Sequence, residues 1–289
     1  MSRLLAGLLV ASAMAACSGD EESKSPAEAP AAAVTSAAPT SAAPTTVAGP
    51  TTTVAPSARL AAAIESTETA IRNPATADAE MDRLGQAQQG AYRELVSDPA
   101  LAAEVVALLP DRLRPVADAH LAAGKELTAL NGPYDPARPL PKWRIIPPEP
   151  APVLLAHYQA AEAALGVPWE YLASIHLIET RMGRIRGDSS AGAQGPMQFI
   201  PSTWDIYGEG GDIESTGDSI RAAARLLRAN GALTDMARAL FSYNNSNRYV
   251  RAVTIYAQQM EADPRTYLAY HGWQVYYGPI LLPEGTVIP

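Results

Sequence analysis

The residue best placed for chemistry is Glu179, near the end of a predicted helix over residues 169–182. At about 100° per residue, its neighbours on the same helix face are apolar or small. They are Leu172, Ile175, His176, Met182 and Gly183. Burial on such a face raises the pKa of a carboxyl group, and a glutamate kept protonated near neutral pH acts as a general acid. The alternative is a buried ion pair with Arg181, Arg184 or Arg186.

A second stretch of interest, residues 190–199 (SAGAQGPMQF), is rich in small residues. Its glycines and proline exclude a helix interior, and the lack of side chains lets backbone amides approach a ligand closely. Gln198 offers a donor and an acceptor to sugar hydroxyl groups, and Phe199 or Trp204 offers a ring to the apolar face of a pyranose. We expect Ser202 to cap the helix that follows.

Three motifs in order resemble the lytic murein transglycosylases, most closely the membrane-bound B-type branch and its lipoprotein relatives. They are Glu179-Thr180 in an apolar helix, residues 190–199 (SAGAQGPMQF) and residues 239–246 (ALFSYNNS). Together they cover roughly residues 150–260. The resemblance implies a lysozyme-like transglycosylase domain. Periodicity and composition add a helical hairpin segment and a disordered tether before it, so the predicted fold class is all-α.

The resemblance also implies an activity on peptidoglycan glycan strands, with Glu179 as the catalytic residue. Glu179 would protonate the glycosidic oxygen between N-acetylmuramic acid and N-acetylglucosamine, then take the proton of the muramic C6 hydroxyl as that oxygen attacks C1. The product is a 1,6-anhydro sugar, and no cofactor is needed. The substrate-binding residues carried over from the motifs are Ser190, Gly195, Met197, Gln198, Phe199, Tyr243 and Asn244.

Two other functions stay open. A muramidase that uses water needs a second carboxylate about 5–10 Å from the first. Asp188 and Asp205 are the nearest candidates in the sequence. A non-catalytic peptidoglycan-binding scaffold is the other possibility, although the presence of Glu179 argues against a dead site.

The composition excludes several other classes of function. The chain has 289 residues and a net charge of −8, without a basic stripe, so we expect no nucleic-acid binding. Cys17 is the only cysteine and the four histidines are scattered, so no intramolecular disulfide or cysteine metal site is expected. The acidic stretch 209–218 does not have the spacing of an EF-hand loop, and we expect no metal.

The amino terminus resembles a bacterial lipoprotein signal peptide. Arg3 precedes an apolar run from Leu4 to Ala16 that is too short for a good membrane span, and Cys17 follows two alanines. The resemblance implies cleavage before Cys17, lipid attachment to its sulfur, and an extracytoplasmic protein anchored to the cell membrane. The alternative is an ordinary secretory signal with Cys17 incidental.

The remaining chain divides by composition. Residues 18–57 are rich in Ala, Pro, Thr and Ser and predict a disordered linker, and residues 58–130 predict an accessory segment of three or four helices. A Pro-rich connector at 131–152 leads to the catalytic domain at 153–275, and residues 276–289 read as an extended, peripheral tail. Inside the catalytic domain, Asp218 and Thr234 are the expected caps of two helices.

Overall fold

A computed structural model describes residues 54–289, and this part of the chain is mainly α-helical, which confirms the all-α class. Its helices are α1 (Pro56–Arg72), α2 (Met81–Ser97), α3 (Pro99–Leu108), α4 (Arg114–Asn131), α5 (Ala151–Leu165), α6 (Trp169–Thr180), α7 (Pro201–Tyr207), α8 (Thr216–Ala229), α9 (Met236–Tyr243), α10 (Asn247–Ala262) and α11 (Arg265–His271). A 3-10 turn spans Asp78–Glu80. The short strands are β1 (Arg144–Ile145), β2 (Ile185–Arg186), β3 (Val275–Tyr277) and β4 (Ile280–Leu282).

The main hydrophobic core is built around α6. Seven of its residues are buried, from Leu172 to Thr180, because α5, α10 and α11 pack around it. Pro168 lies directly before the first turn, where a missing N–H costs nothing. Glu179 is thus the penultimate residue of a helix held on several sides.

The first four helices form a hydrophobic cluster of their own and also pack against this core. Ile64, Leu95 and Val105 form a small cluster of their own within α1, α2 and α3. The fourth helix, α4, adds Ala117 and Leu121 to this cluster, and it also packs along α10 and places Ala123 in the main core. The segment 58–130 therefore supports α10 directly and is continuous with the domain that carries Glu179.

A buried polar network also joins the first helices to the C-terminal part. The Glu68 side chain, 1% exposed, pairs with Arg72 and accepts hydrogen bonds from Tyr92 Oη at 2.8 Å and Gln88 Nε2 at 3.1 Å. Trp273 Nε1 in turn donates to Gln88 Oε1 at 3.1 Å. Removing one partner from such a network leaves a buried polar group unsatisfied, so the two parts are expected to unfold together.

The connector and the tail form one small sheet-like layer. β1 pairs antiparallel with β2, and on its other side the Ile145 N–H donates to Thr286 O at 2.9 Å while the Gly285 N–H donates to Ile145 O at 2.9 Å. β3 and β4 form a hairpin whose Leu282 is buried. Residues 276–289 are therefore extended and tied to the connector by backbone pairing, while most of them stay exposed.

Three predicted helix caps are wrong. Ser215, not Asp218, caps α8, and Asp235, not Thr234, caps α9. α7 begins at Pro201 after Ile200, so Ser202 already lies inside its first turn. In each case the observed capping position lies one to three residues from the polar residue that the sequence favours.

Residues 1–53 lie outside the described part of the chain, and with them Cys17, its predicted lipid and most of the predicted linker. Helix α1 begins at Pro56, within the range assigned to that linker. In residues 54–289, none of the helices has the length and apolar composition that a bilayer span requires.

Candidate active site

Helix α6 ends abruptly one residue after Glu179. Arg181 and Met182 both adopt left-handed backbone conformations, with φ of 54° and 57°, which costs about 1–2 kcal/mol for a residue with a side chain. The turn is held by the Met182 N–H, which donates to His176 O at 3.0 Å, and by the Gly183 N–H, which donates to Thr180 Oγ1 at 3.1 Å. The end of the helix is thereby fixed, and Glu179 with it.

Glu179 faces a buried tyrosine from another helix. Tyr249 Oη donates a hydrogen bond of 2.6 Å to Glu179 Oε1, and Tyr249 is 1% exposed. Burial raises the pKa of Glu179 to about 7, while the hydrogen bond from Tyr249 acts in the opposite direction. The pKa of Tyr249 lies well above its usual value, because of burial and the nearby Glu179, so its hydroxyl stays protonated and acts as a donor.

The structure does not contain the alternative ion pair between Glu179 and one of the arginines that follow it. Arg184 pairs with Glu284, and Arg186 approaches Glu214 at 3.7 Å. Arg181 donates from Nη1 to the carbonyl of Leu177 at 2.7 Å. Each arginine thus has a partner elsewhere, and the carboxyl group of Glu179 keeps a pKa near neutrality.

The glycine-rich stretch forms a tight turn beside α6. Gln194 and Phe199 exchange two backbone hydrogen bonds of 2.8 Å, which closes a four-residue turn between them. Gly195 has a φ of +72°, and a Cβ there would lie 2.0 Å from the carbonyl oxygen of Ile213, so only glycine fits. Gln198 also has a positive φ, 52°, and its Nε2 donates to Gly195 O at 3.0 Å.

Two hydroxyl groups attach this turn to the helices around it. Thr180 Oγ1, next to Glu179, donates to Pro196 O at 2.6 Å. Tyr243 Oη at the end of α9 donates to Met197 O at 2.6 Å. Both acceptors are carbonyl groups in the middle of the turn, so the turn, α6 and α9 are held in one arrangement.

The aromatic side chains of the motifs form a buried row. Tyr243 and Tyr249 are stacked, with ring centroids 6.3 Å apart, and Phe199 meets Tyr243 edge-on at 5.9 Å. Phe199 is 2% exposed and Met197 is fully buried, so neither side chain is available to a ligand. This corrects the expectation that the Phe199 ring lies against a sugar. Trp204 packs on Phe199 and is partly exposed, so its ring remains a candidate for contact with a sugar.

The other predicted site residues differ in exposure. Ser190 is exposed and Gln198 partly exposed. Asn244 is 5% exposed and follows the last turn of α9, where its N–H donates to Leu240 O. Asp188 and Asp205, the candidates for a second carboxylate, are both exposed. Residues 54–289 contain no group of three or more His, Cys, Asp or Glu side chains placed to hold a metal ion.

Tyr249 is the residue beside Glu179 that the sequence does not single out. It lies in the first turn of α10, six positions after Tyr243, and nothing in its local sequence distinguishes it from a core tyrosine. The position of Tyr249 beside Glu179 can be recognised only when α10 is known to pack on α6. Chemically, the assembled site holds one carboxyl group that can both give and take a proton near pH 7, beside a rigid turn.

No family model, curated protein or solved structure matches this chain.

Proposed function

We propose that the protein is a peptidoglycan lytic transglycosylase that cleaves the β-1,4 bond between N-acetylmuramic acid and N-acetylglucosamine. The observation that carries the proposal is the geometry at Glu179, a partly exposed carboxyl group with Tyr249 Oη 2.6 Å from its Oε1. Burial raises the pKa of this carboxyl group to about 7, which suits a group that gives and takes a proton. The three motifs that resemble this enzyme family supply the substrate class. The domain around Glu179 is proposed to be lysozyme-like.

The reaction uses Glu179 twice. Its protonated form gives a proton to the glycosidic oxygen as the bond from that oxygen to C1 of the muramic residue breaks. The resulting carboxylate then takes the proton from the C6 hydroxyl group while O6 bonds to C1. The proton is returned to Glu179, no water is consumed, and the product ends in a 1,6-anhydro ring.

Both protonation states of Glu179 must be accessible for this sequence of steps. A carboxyl group with a pKa of about 7 meets that condition at neutral pH, whereas an exposed glutamate is almost fully ionised. The hydrogen bond from Tyr249 favours the carboxylate form, which is the form left after the first proton transfer. Tyr249 is accordingly a positioning residue that moderates the pKa of Glu179.

The rigid turn is proposed to line the glycan site. Its Gly195 brings the backbone close to Ile213, and the hydroxyl groups of Thr180 and Tyr243 fix its position relative to Glu179. Ser190 and Gln198 are the polar side chains proposed to contact the sugar, and the buried Asn244 is proposed to support the site. Such preorganisation matters because catalytic groups act only when they are held close to the productive geometry.

The proposed cellular setting is the outer face of the cell membrane, with a lipid on Cys17 and a linker that gives the domain reach. About forty extended residues span up to ~130 Å, enough to sample a layer above a membrane. Labelling with a radioactive fatty acid, compared with a Cys17→Ser protein, tests the anchor. Incorporation into both proteins or into neither contradicts it.

The test of the enzymatic role is the release of soluble muropeptides from purified sacculi. The wild-type protein is compared with Glu179→Gln, which keeps the size of the side chain but has no acid proton, and with Glu261→Gln as a matched control on the exposed surface. We expect release by the wild type and the control and none by Glu179→Gln. Binding of all three to sacculi without release would instead support a non-catalytic scaffold.

A further inference from the structure

Two arginines lie directly opposite each other in the small sheet formed by β1 and β2. Arg144 in β1 pairs with Arg186 in β2, so both side chains lie on the same face of the sheet. Like charges in this arrangement destabilise the pairing of two strands. The chain has 30 acidic and 22 basic side chains, so a basic composition is not the reason for the pair. The strand pairing therefore does not explain why both positions hold arginine.

Neither of the two guanidinium groups is neutralised at close range. Arg144 is exposed, and it has no ion pair with any residue in the described part of the chain. Arg186 Nη1 donates to Glu214 O at 3.3 Å, whereas Glu214 Oε2 lies 3.7 Å from the same atom on a side chain that is 55% exposed. A charge-assisted hydrogen bond is shorter, about 2.7–2.9 Å. The pair thus combines two positive charges with one weakly bound acidic neighbour.

Arg186 approaches the turn that is proposed to line the glycan site from two directions. The carbonyl group to which it donates belongs to the residue after Ile213, and Gly195 packs on the carbonyl oxygen of Ile213. Gly187 follows Arg186 in the chain, and its carbonyl oxygen lies 3.5 Å from Nε2 of Gln198. Arg186 is therefore one residue away from two of the groups that contact the turn.

The guanidinium group of Arg186 also reaches the end of the helix that carries Glu179. Its Nη2 lies 3.9 Å from the position that a Cβ would take at Gly183, and His176 Nε2 lies 3.3 Å from the same position. His176 is one helical turn before Glu179 on α6. The His176 side chain is fully buried, whereas that of Arg186 is 21% exposed and can be reached from solvent. The arginine pair therefore borders both α6 and the turn.

We infer that Arg144 and Arg186 bind a carboxylate carried by the muramic residue in the proposed glycan site. In a bare strand this is the carboxylate of the lactyl group, and in a substituted strand it is one from the stem peptide attached there. The inference rests on the proposed function. Two guanidinium groups on one face suit the two oxygens of a carboxylate, and the bound anion offsets the repulsion between the arginines. The sugar rings carry no charge that could do this.

The probes are glycan strands in three forms, all with their amino groups acetylated. The first has free stem-peptide carboxylates, the second has these converted to amides, and the third is a bare strand from which an amidase has removed the peptides. Binding is measured with the full chain carrying Glu179→Gln, so that the strands stay intact. We expect the amide form to bind about three- to tenfold more weakly than the better of the other two. Whichever of those two binds more tightly identifies the source of the carboxylate.

Variants in the same background locate the contact. Arg144→Gln should weaken binding of the preferred strand about three- to fivefold and leave binding of the amide form unchanged. Arg59→Gln, which removes an exposed arginine from α1, is the matched control and should change neither. Adding Arg186→Gln to Arg144→Gln should remove the remaining preference for a carboxylate. The melting temperature of Arg144→Gln should stay the same or rise slightly, because a like-charge pair is relieved, whereas loss of a structural contact would lower it.

The inference is overturned if the amide form binds as tightly as the others, if Arg144→Gln keeps the full preference, or if Arg59→Gln reduces it equally. Failure of the proposed function would look different. Release of muropeptides by the wild type without any dependence on carboxylates would refute the role of the arginines alone. Carboxylate-dependent binding through Arg144, without release by the wild type, would refute the enzymatic proposal alone.

Discussion

Tyr249 and Glu179 are 70 residues apart in the chain and are joined by a 2.6 Å hydrogen bond from the tyrosine hydroxyl to the carboxyl oxygen Oε1. The bond exists because α10 packs against α6, and α4 in turn packs along α10. The packing of α4 and α10 on α6 therefore determines where Tyr249, the hydrogen-bond partner of Glu179, lies.

Replacing Tyr249 by phenylalanine should raise the pKa of Glu179 above 7, because the hydrogen bond that favours the carboxylate is lost while burial remains. The basic limb of the pH profile of kcat/KM should move up by about half to one pH unit, with a fall in kcat of about tenfold. Tyr267→Phe is the matched control, since its hydroxyl donates to Ala151 O, outside the site. An unshifted limb in Tyr249→Phe would show that the hydroxyl does not act on Glu179.

Replacing Glu179 by glutamine should stabilise the fold at alkaline pH. The folded pKa of about 7 is raised from 4.5, so the unfolded chain loses this proton first as pH rises. The stability that the protonated group contributes is complete below about pH 4.5 and is lost as pH rises through 7.

The glutamine variant has no such loss, so its free energy of unfolding should exceed that of the wild type at pH 8 by on the order of 1–3 kcal/mol. At pH 4 to 5 the difference should nearly vanish. Urea unfolding at the two pH values measures it, with the exposed Glu261→Gln as control. A difference that does not change with pH would mean that Glu179 has an ordinary pKa.

The two glycines of the turn region should respond very differently to alanine. Both have positive φ, but a Cβ at Gly195 lies 2.0 Å from Ile213 O, whereas a Cβ at Gly192 meets nothing within 4 Å. We expect Gly192→Ala to cost about 1 kcal/mol, from backbone strain alone, and Gly195→Ala about 3 kcal/mol or more. Thermal unfolding and muropeptide release are measured for both variants. Equal effects would contradict the packing of the turn on Ile213.

The hydroxyl group of Thr180 should matter more than its methyl group. It donates to Pro196 O and accepts from the Gly183 N–H, which joins the end of α6 to the turn. Thr180→Val removes both bonds and should cost about 1–3 kcal/mol and much of the activity, whereas Thr180→Ser keeps both. Chemical denaturation and kcat of the two variants test this. A valine variant as active as the serine variant would show that the turn is positioned by other contacts.

The sequence predicts the local features of this site well. An apolar face around Glu179, a proline before α6 and glycines in the turn are all encoded within a few residues of the chain, and they lead to the observed helix and turn. The all-α class follows from an alanine-rich chain in the same way.

Features that depend on distant partners are less predictable. Tyr249 resembles any core tyrosine until α10 is placed on α6, and Phe199 appears available to a ligand until Tyr243 and Trp204 bury it. The tail pairs with Ile145 through backbone groups, which every residue possesses. No pattern of side chains in the sequence therefore predicts this pairing.

Helix caps are also difficult to predict, although the residues involved are close together in the sequence. Asp218 is a good capping residue by type, yet Ser215 accepts the capping hydrogen bond, from the Asp218 N–H. The Asp218 carboxylate pairs with Arg221 and accepts from the Asp212 N–H instead. When several polar residues precede a helix, their competing contacts decide which one caps it.

The central claim is that Glu179 cleaves the glycan without consuming water, and the most direct test is mass spectrometry of the products formed from purified sacculi. We predict muropeptides that end in 1,6-anhydro-N-acetylmuramic acid, each one water lighter than its hydrolysed counterpart, from the wild type and none from Glu179→Gln. Products with ordinary reducing ends would contradict the claim. They would mean that water is the acceptor and would direct the search for a second carboxylate to Asp188.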